Sequence, residues 1–357
     1  MLTGEIEHPP VQRVLLVGDT VGVPRLLRHV ERNLVCGIVA AEIRPQSHSA
    51  LAAIAAEREV PFLIQPRVTT PPYSRFVSSV TDLAPDLIVC DSYSMLLRAD
   101  ILSVPRSGAV NVHGGLLPQY RGGNPVQWAI INDEVQAGVT IHYMDEGFDS
   151  GPIIAQRQVP LLFTDTWRDV MSRIGVATEA LLSENARLIL TGGAAAARQD
   201  SAQARHYPHR TPADGRIDWS QSVRAIYNLV RALVTPLPGA FYVACDETVV
   251  VGDYLTIAEV AALKQEMIEG RWLKPALGTL RVDPKSSHER ILLDLNDGEG
   301  VRIGSAELDE IDYAGRTAIL RWSSVPPPDS RDSQALESVH MFARTELGLS
   351  KLETPTS

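Results

Sequence analysis

Short apolar segments alternate with amphipathic segments along the first half of the chain. RVLLVG (residues 13–18) is apolar, ends in glycine and is followed by the helical pattern VPRLLRHVE. The same succession of a predicted strand and a predicted helix recurs, which indicates a parallel sheet with helices on both faces. Further strands are predicted in VCGIVAAEI, PDLIVCDSY and GAVNVHGG, and further helices in SALAAIAAEREV and MLLRADILSV.

The pattern changes in the second half of the chain. Up to about residue 195 it still predicts a helix, a strand and a long amphipathic helix, in NPVQWAIINDE, GVTIHYM and DTWRDVMSRIGVATEALLSENARLIL. Beyond residue 210 one predicted helix, SVRAIYNLVRAL, precedes short apolar runs that predict a small β-barrel or an open β-fold. These runs are GAFYVAC, TVVVGD, LTIAEV, ERILLDL, GVRIGSAEL and TAILRWS.

These patterns divide the chain into four parts. We predict an α/β domain with a Rossmann-like parallel sheet over residues 1–195, a linker over 196–210, a smaller β-rich, OB-like barrel domain over 211–325, and a tail with one helix over 326–357. The linker prediction rests on the small and polar residues of AAAARQDSAQARHYPHRTPADG, which show little periodicity. The tail prediction rests on the amphipathic pattern of LESVHMFARTELG, which follows a proline-rich break and precedes a loose end.

The composition makes several classes of protein poor fits. Apolar residues make up 45% of the chain and charged residues 21%, as in globular proteins, and no run approaches the ~20 apolar residues of a membrane span. A formal net charge of −10 disfavours a broad nucleic-acid-binding surface. The start, MLTGEIEHPPVQ, resembles neither a signal peptide nor a transit sequence, so we expect a cytoplasmic protein.

Two familiar kinds of cofactor site are also disfavoured. Cys36, Cys90 and Cys245 are scattered and odd in number, which favours buried thiols over a disulfide set or a metal site. Gly18 follows a predicted strand, but GDTVGVP lacks the three-glycine spacing of a dinucleotide fingerprint. We therefore predict a tight strand-to-helix turn there.

Three polar residues are candidates for chemistry. Asn111 and His113 stand two residues apart on a predicted strand, so their side chains share one face at its carboxyl end. An amide donor beside an imidazole suits acyl transfer, since the amide holds an oxyanion while the imidazole moves a proton. Asp149, on the acidic turn MDEGFDSGP, is placed to orient His113 and raise its pKa. Taken singly, each also fits an ordinary structural role, as a strand-end histidine or a turn aspartate.

Taken together, these segments resemble a known family. NVHGGLLPQYRG, GVTIHYMDEGFDSGPII, RTPADGRIDW and VRALVTPLPGAF are similar to segments of the folate-dependent formyltransferases. That group includes methionyl-tRNA formyltransferase, glycinamide ribonucleotide transformylase and the nucleotide-sugar N-formyltransferases. The resemblance spans about residues 12–322, with Asn, His and Asp in the family's order and at its spacing.

The resemblance implies a direct transfer of a formyl group from 10-formyltetrahydrofolate to an amine, with no metal. Asn111 resembles the residue that stabilises the tetrahedral transition state, His113 the proton-transfer residue, and Asp149 the carboxylate that tunes its pKa. Residues of three segments are expected to contact the folate, whose flat pterin ring suits apolar walls and backbone polar groups. They are Met95, Leu96, Leu97, Leu116, Leu117, Pro118, Asp145, Glu146, Gly147, Phe148 and Asp149.

The chain departs from the family's pattern at two glycines. Gly115 stands where the loop usually carries a serine, so the turn is kept and a hydroxyl is lost. Gly123 stands where relatives of the aminoarabinose type have an arginine that meets the cofactor. Arg121 is a candidate to supply the missing contact.

The acceptor amine is less well defined than the reaction. Members that act on tRNA carry a basic, glycine-rich insertion after the second strand, whereas AAEIRPQSHSALAAIAAEREV has three acidic and two basic residues there. Residues 211–321 are also acidic, with 17 Asp and Glu against 12 Lys and Arg. Because the aminoarabinose-type relatives have segments similar to RTPADG and PLPGAF, we expect a nucleotide-linked amino sugar.

Other acceptors remain alternatives. They are methionyl-tRNA, with an atypical acidic loop, and a secondary-metabolite amine such as a hydroxylated ornithine or an aminoglycoside. A non-catalytic folate-binding relative is the alternative from a different class. Nucleotide-sugar members are often dimers, so a homodimer is a further expectation.

Overall fold

The computed structural model describes residues 10–192, 194–244, 247–252, 255–267, 279–282, 290–296, 302–313, 316–324 and 339–353. They form two compact units. The first comprises the residues up to Val126, Gln136–Val159 and Val170–His209, and the second comprises Gln127–Val135, Pro160–Asp169 and the residues from Arg210 onward. Each unit is therefore assembled from separate stretches of chain, and the division into four parts given above stays a prediction.

A seven-stranded sheet organises the first unit. Its strands are β1 Val14–Gly18, β2 Val35–Ala41, β3 Phe62–Gln65, β4 Leu87–Asp91 and β5 Ala109–His113, followed, after the short strand β6 Arg121–Gly122, by β7 Gln136–Tyr143 and β8 Ile153–Pro160. Their order is β3-β2-β1-β4-β5-β7-β8. The pairs from β3 to β5 are parallel, and β5 pairs with β7 in antiparallel fashion. The predicted α/β class with a mostly parallel sheet is confirmed.

Helices cover both faces of this sheet. They are α1 Gly22–Leu26, α2 His48–Arg58, α3 Pro72–Leu83 and α4 Ala99–Leu102, with 3-10 turns at Arg32–Leu34, Pro45–Ser47 and Ser201–Gln203. Farther along the chain come α5 Pro125–Ile131, most of which belongs to the second unit, and the long helix α6 Trp167–Leu190. Successive residues of β2 join different apolar clusters: Ile38 packs with Leu51 of α2, whereas Val39 packs with Phe76 of α3. All residues of β1, β2 and β4 are consequently buried, as central strands covered on two sides must be. The strand-and-helix pattern did not single out β3, α3 or β8.

The turn from β1 to α1 packs closely against the end of β4, and the side chain of Asp19 binds its backbone. A Cβ atom at Gly18 or Gly22 would overlap the carbonyl oxygen of Asp91, so both positions need glycine for close backbone approach. The carboxylate of Asp19 accepts the N–H groups of Val21 and Gly22 at 2.9 and 3.0 Å. The first free N–H groups of the helix are thus already paired within the turn.

The segment Met95–Leu97 differs from its predicted form. The pattern placed MLLRADILSV in a helix directly after a strand, but a loop follows β4 and the helix α4 has only four residues. Buried Gln65 holds this loop, since its side chain donates to the Leu96 carbonyl at 3.0 Å and accepts from the Tyr93 hydroxyl at 2.7 Å. An irregular loop anchored by one distant amide leaves no periodic signal in the sequence.

The second unit is rich in β-strands. It contains a 3-10 turn at Pro212–Gly215, the helices α7 Val223–Ala232 and α8 Ile257–Met267, and the antiparallel hairpin β10 Phe241–Ala244 with β11 Glu247–Val250. A five-stranded sheet follows, in the order β12 Thr279–Val282, β13 Ile291–Asn296, β14 Arg302–Asp312, β15 Thr317–Ser324 and β16 Lys351–Glu353. A smaller β-rich region after the α/β domain is confirmed, and its closure into an OB-like barrel stays a prediction.

The run LTIAEV was wrongly predicted to be a strand, because it opens α8. Thr256 and Glu259 form a reciprocal cap: the Glu259 carboxylate accepts from the Thr256 N–H at 2.7 Å, and the Thr256 hydroxyl accepts from the Glu259 N–H at 3.2 Å. This capping box starts a helix that continues through AALKQEM. The apolar run was too short to reveal the helical period by itself.

The tail contributes to the second unit. Residues 339–345 are helical, as predicted, and β16 pairs in parallel with β15, so the chain after the helix is not a loose end. Glu346 accepts from the Val223 N–H and from the Lys264 ammonium group, both at 2.9 Å. The remainder of the predicted tail, 325–338 and 354–357, lies outside the described residues, as does Cys245. Cys36 and Cys90 are buried free thiols, as expected.

Candidate active site

The candidate site begins at the carboxyl end of β5. Asn111 and His113 project from the same face of this strand, as their spacing predicts. On the neighbouring antiparallel strand β7, His142 lies directly opposite Asn111 and Thr140 lies opposite His113. The four side chains therefore share one face of two paired strands.

Asp149 is brought to these residues by the turn between β7 and β8. Its backbone has a φ of 51°, in the left-handed region that aspartate tolerates better than most residues. Its Oδ2 atom lies 3.6 Å from His113 Nδ1, and its Oδ1 atom lies 3.5 Å from Asn111 Nδ2. The three residues predicted to carry the chemistry thus form one cluster, which we call the polar triplet.

Two backbone features hold the carboxylate of Asp149 in place. The N–H of Gly122 donates to its Oδ2 atom at 2.8 Å. Two residues after Asp149, a Cβ atom at Gly151 would overlap the carbonyl oxygen of Tyr143, so the turn closes only with glycine there. Gly151 is therefore part of the geometry that aims the carboxylate.

Burial and neighbouring charges shift the pKa values of His113 and Asp149. Burial lowers the pKa of His113, and this outweighs the opposing effects of the Asp149 charge and of the hydrogen bond to Tyr120. The charge of Asp149 raises the pKa of His113, as expected, but burial makes the net shift downward. Burial alone would raise the pKa of the Asp149 carboxyl, but the His113 imidazole and the Gly122 N–H hold it well below its usual range.

The tautomer of His113 follows from its hydrogen bond. Its Nε2 atom lies 2.6 Å from the Tyr120 carbonyl oxygen, which only accepts, so Nε2 carries the proton. In the neutral ring Nδ1 is then unprotonated and faces Asp149. Proton uptake at Nδ1 would create an ion pair with that carboxylate. Nδ1 is therefore the atom of this ring that can exchange a proton with a ligand.

His142 is a site residue that the sequence pattern did not single out. It is 1% exposed, its Nε2 atom lies 3.2 Å from Asn111 Nδ2, and its Nδ1 atom lies 2.7 Å from the Tyr143 carbonyl oxygen. A signal for it was present, because Thr140 and His142 alternate with Val139 and Ile141 in β7. Polar residues on a strand face that is buried point to a polar site on that face.

The loop after His113 is held by side chains of β7 and β8. The Thr140 hydroxyl donates to the Gly115 carbonyl at 2.6 Å and accepts from the Leu117 N–H at 3.3 Å. The side-chain amide of Gln156 donates to the Leu117 carbonyl at 2.6 Å and to the Thr140 hydroxyl at 2.9 Å. These bonds satisfy the backbone of the Leu-Leu-Pro loop without a serine at Gly115.

The segment predicted as a linker packs against the site. Gln199 donates to the carbonyl oxygens of Asp149 and Gly151 at 2.8 and 2.7 Å, and accepts from Arg121 Nε and Nη2 at 3.0 and 2.7 Å. Farther on, β9 (His206–Tyr207) pairs in parallel with β6. Little periodicity was visible here because single hydrogen bonds, rather than an amphipathic face, fix this segment.

Gly122 and Gly123, at the end of the loop that follows His113, leave room for the segment that contains Tyr207 and His209. A Cβ atom at Gly122 would overlap the Tyr207 carbonyl oxygen, and one at Gly123 would lie 2.5 Å from His209 Nδ1. Any side chain at position 123 therefore competes with the imidazole of His209 for the same space. Arg121, the candidate to replace an arginine at 123, has its guanidinium paired with Gln199.

The remaining predicted folate contacts differ in exposure. Met95, Leu96 and Leu116 are partly exposed, and Asp145, Glu146, Gly147 and Phe148 are exposed. Leu97, Leu117 and Pro118 are buried, and Leu97 packs in an apolar cluster of the core, so their side chains are little exposed to a ligand. Asp145 accepts from the Gly147 N–H at 3.0 Å and from the Ser150 hydroxyl at 2.6 Å, which stabilises the exposed turn.

The described residues lack a metal-binding cluster and a membrane-spanning helix. No group of three or more His, Cys, Asp or Glu side chains in the described part of the chain is arranged to hold a metal ion. Within the same residues, no helix is long and apolar enough to cross a membrane.

Comparisons with known proteins match both halves of the chain. The family model described as "Formyl transferase" matches residues 41–185, and the one described as "Formyl transferase, C-terminal domain" matches residues 210–280. The first match contains the whole polar triplet. The second begins at the boundary between the two units.

Solved structures with a similar fold include three N-formyltransferases. A sugar N-formyltransferase from a Shewanella species is 22% identical, with a TM-score of 0.56 over 68% of this chain and 96% of that one. A 4-N formyltransferase from Francisella tularensis is 20% identical, with a TM-score of 0.55 over 68% and 96%. An N-formyltransferase from Helicobacter canadensis, solved with folinic acid and dTDP-3-aminofucose, is 16% identical, with a TM-score of 0.52 over 82% and 97%. At these identities the likeness establishes the fold.

Proposed function

This chain belongs to the formyl transferase family, and we propose that it transfers the formyl group of 10-formyltetrahydrofolate to the primary amine of a nucleotide-linked amino sugar. The observation that carries the proposal is that the carboxylate oxygens of Asp149 lie within 3.6 Å of polar atoms of both Asn111 and His113. An amide donor, a buried imidazole and an ionised carboxylate are the groups that acyl transfer to an amine requires.

Asn111 is assigned the stabilisation of negative charge. When an amine attacks the formyl carbon, the carbonyl oxygen becomes an oxyanion, and a preorganised N–H donor lowers the energy of that state more than the energy of the ground state. The Nδ2 group of Asn111 is oriented by His142 and Asp149, so it needs little reorganisation during the reaction.

His113 is assigned the transfer of the proton. The attacking nitrogen forms its bond to the formyl carbon and must lose a proton, while the departing folate nitrogen must gain one as its bond to that carbon breaks. Nδ1 of His113 accepts the first proton and delivers the second, because Nε2 is committed to Tyr120. A pKa below the ordinary value keeps this ring neutral and able to accept a proton at neutral pH.

Asp149 is assigned the stabilisation of the charged imidazole. Its carboxylate is ionised, because its pKa lies well below the usual range, and it faces Nδ1 at 3.6 Å. The imidazolium formed during proton transfer is therefore opposed by a fixed negative charge inside the protein, where such an interaction is stronger than in water.

The residues expected to contact the folate fit such a ligand. 10-Formyltetrahydrofolate supplies an activated formyl group on nitrogen and a flat pterin ring. Met95, Leu96 and Leu116 leave apolar surface partly exposed, which suits one face of a planar ring. The turn Asp145–Phe148 adds exposed polar groups beside Asp149. The Helicobacter protein with folinic acid supports the assignment of a folate donor.

Charge supports a sugar acceptor over tRNA. A protein that neutralises many phosphates needs clustered basic residues, whereas this chain has a formal net charge of −10. A nucleotide-linked amino sugar carries only a small number of phosphate charges. The dTDP-3-aminofucose held by the Helicobacter protein is a ligand of this class and supports the proposal.

The proposal is tested with a panel of acceptors. Purified protein and 10-formyltetrahydrofolate are incubated with dTDP- and UDP-linked amino sugars, initiator methionyl-tRNA, a hydroxylated ornithine and an aminoglycoside, and products are identified by mass spectrometry. We expect one formyl group to be added to at least one nucleotide sugar. Formylation of methionyl-tRNA, with no sugar modified, would overturn the assignment of the acceptor.

A matched pair of variants controls the same assay. Asp149→Asn removes the charge opposite His113 while keeping the size of the side chain. Asp82→Asn makes the same chemical change at an exposed position on α3, outside the site. The first variant should lose formylation, and the second should retain it.

A further inference from the structure

We propose that His142 is a positioning residue that fixes the side-chain amide of Asn111 in the orientation with its Nδ2 group toward Asp149. Its effect on turnover rests on the proposed function, whereas its effect on the amide does not. His142 lies opposite Asn111 on the paired strand β7 and is almost completely buried. None of its atoms is required to touch a substrate.

The tautomer of His142 follows from the group at its other nitrogen. Nδ1 lies 2.7 Å from the Tyr143 carbonyl oxygen, which has no proton to give, so Nδ1 carries the proton and donates it. In the neutral ring the Nε2 atom is then unprotonated; it lies 3.5 Å from Oδ1 of Asp149 and 3.2 Å from the nitrogen of a side chain that can donate to it. That side chain is the amide of Asn111.

The orientation of Asn111 is decided by the groups around its amide. Two acceptors face one end of it: Nε2 of His142 at 3.2 Å and Oδ1 of Asp149 at 3.5 Å. An NH₂ group donates one N–H to Nε2 and leaves the second, which has only the longer contact to Asp149, for an oxyanion, whereas the amide oxygen would place three acceptors against one another. His142 thus makes the flipped amide unfavourable, and the loss of its Nε2 acceptor would leave only the longer contact to Asp149.

Loss of this positioning should affect turnover much more than substrate binding. A flipped Asn111 would present an oxygen, in place of an N–H donor, to the developing oxyanion. Substrates bound through other contacts would be affected little, while the transition state would lose stabilisation. A loss of positioning should therefore lower kcat and leave KM nearly unchanged.

Two substitutions at position 142 separate positioning from packing. His142→Gln keeps an acceptor near the place of Nε2, and His142→Asn keeps a polar group near the place of Nδ1 only. We expect the Gln variant to retain kcat within about threefold and the Asn variant to lose about 10- to 100-fold, with KM for both substrates within about twofold. Equal losses in the two variants, or a change confined to KM, would overturn the proposal.

A spectroscopic measurement on the resting wild-type protein tests the geometry without any substrate. Long-range ¹H–¹⁵N correlation spectra distinguish a histidine protonated on Nδ1 from one protonated on Nε2. We expect His142 to be the Nδ1–H tautomer, and one Asn111 amide proton to show coupling across a hydrogen bond to Nε2. An Nε2–H tautomer would refute the proposal even if formyl transfer is found.

A failure of the proposed function can be distinguished from a failure of the positioning role of His142. If no acceptor in the panel is formylated, the proposed function fails, and the spectra still decide the role of His142. If formylation occurs and the spectra show the other tautomer, only the positioning role fails.

Discussion

His113 Nδ1 lies 3.6 Å from the Oδ2 atom of Asp149, while the opposite nitrogen of the same ring is committed to the Tyr120 carbonyl. The ring can therefore gain or lose a proton on only one side, and that side is opposed by a carboxylate. Burial keeps the resting ring neutral, and Asp149 stabilises it once it is charged.

Substitution of Asp149 by Asn should reduce turnover. The amide retains an acceptor for the Gly122 N–H but no longer stabilises an imidazolium at His113. We expect kcat to fall by about 10²- to 10⁴-fold, the range for loss of acid–base assistance. Because Asp149 opposes the lowering of the His113 pKa, its removal should also move the acidic limb of the kcat/KM profile to lower pH. A pH–rate profile of the variant checks both effects, and an unshifted limb would contradict this role for the carboxylate.

The stability of the protein should decrease as the pH falls below about 6.5. The pKa of His113 is lower in the folded state than in the unfolded chain, so the unfolded chain takes up that proton first and is favoured by acid. Asp149 acts in the same direction at lower pH: folding depresses its pKa, so its contribution is lost progressively as the pH falls from about 4 toward its lower folded-state pKa.

The His113 component can be isolated by measuring Tm between pH 7.5 and 5. His113→Gln keeps a donor for the Tyr120 carbonyl but does not titrate. Wild-type protein should lose more Tm than the variant across this range. Two parallel curves would show that another group is responsible.

Loss of the Asn111 amide should affect the transition state selectively. Asn111→Ala removes the donor assigned to the oxyanion, and removal of one such donor typically costs about 10²- to 10³-fold in kcat. KM should change little. Steady-state kinetics with a saturating formyl donor measures both values, and an increase in KM with kcat preserved would assign Asn111 to substrate binding instead.

Gly151 should tolerate no larger residue. A Cβ atom there would overlap the Tyr143 carbonyl oxygen, so Gly151→Ala must displace the turn that carries Asp149. We expect a loss of about 1 to 3 kcal/mol in the free energy of unfolding and a lower kcat.

The matched control is Gly175→Ala in α6. No atom lies within 4 Å of the added Cβ, and alanine favours a helix interior, so we expect a gain of up to about 1 kcal/mol. Urea denaturation curves compare the two variants, and equal effects would contradict the steric explanation.

Much of this arrangement could be predicted from local sequence. The buried strands that end near the site have strong apolar patterns, and Asn111 and His113 share a face because strand side chains alternate. The approach of Asp149 was expected from the turn MDEGFDSGP, where the residue taken singly also fitted an ordinary turn, and resemblance to a family favoured the catalytic interpretation. The position of Asp149 depends on a left-handed backbone and on Gly151, which no periodicity reveals.

Most of the features that the sequence analysis missed involve residues that are far apart in the sequence. His142 and Gln199 reach the site by pairing across the sheet and by hydrogen bonds to loop carbonyls. The effect of Asp149 on the pKa of His113 was expected, but the net lowering of that pKa depends on burial, which a single sequence does not quantify. At α8 a local signal was available, the Thr256–Glu259 capping box, and the apolar run obscured it.

The central claim is direct formyl transfer to a nucleotide-linked amino sugar, and one isotope experiment tests it most directly. 10-Formyltetrahydrofolate labelled with ¹³C in its formyl group is mixed with the wild-type protein and the amino sugar that it modifies best. The product should contain a ¹³C-formamide on the sugar nitrogen, with one tetrahydrofolate released per formamide formed. Release of labelled formate with no labelled formamide would contradict the claim.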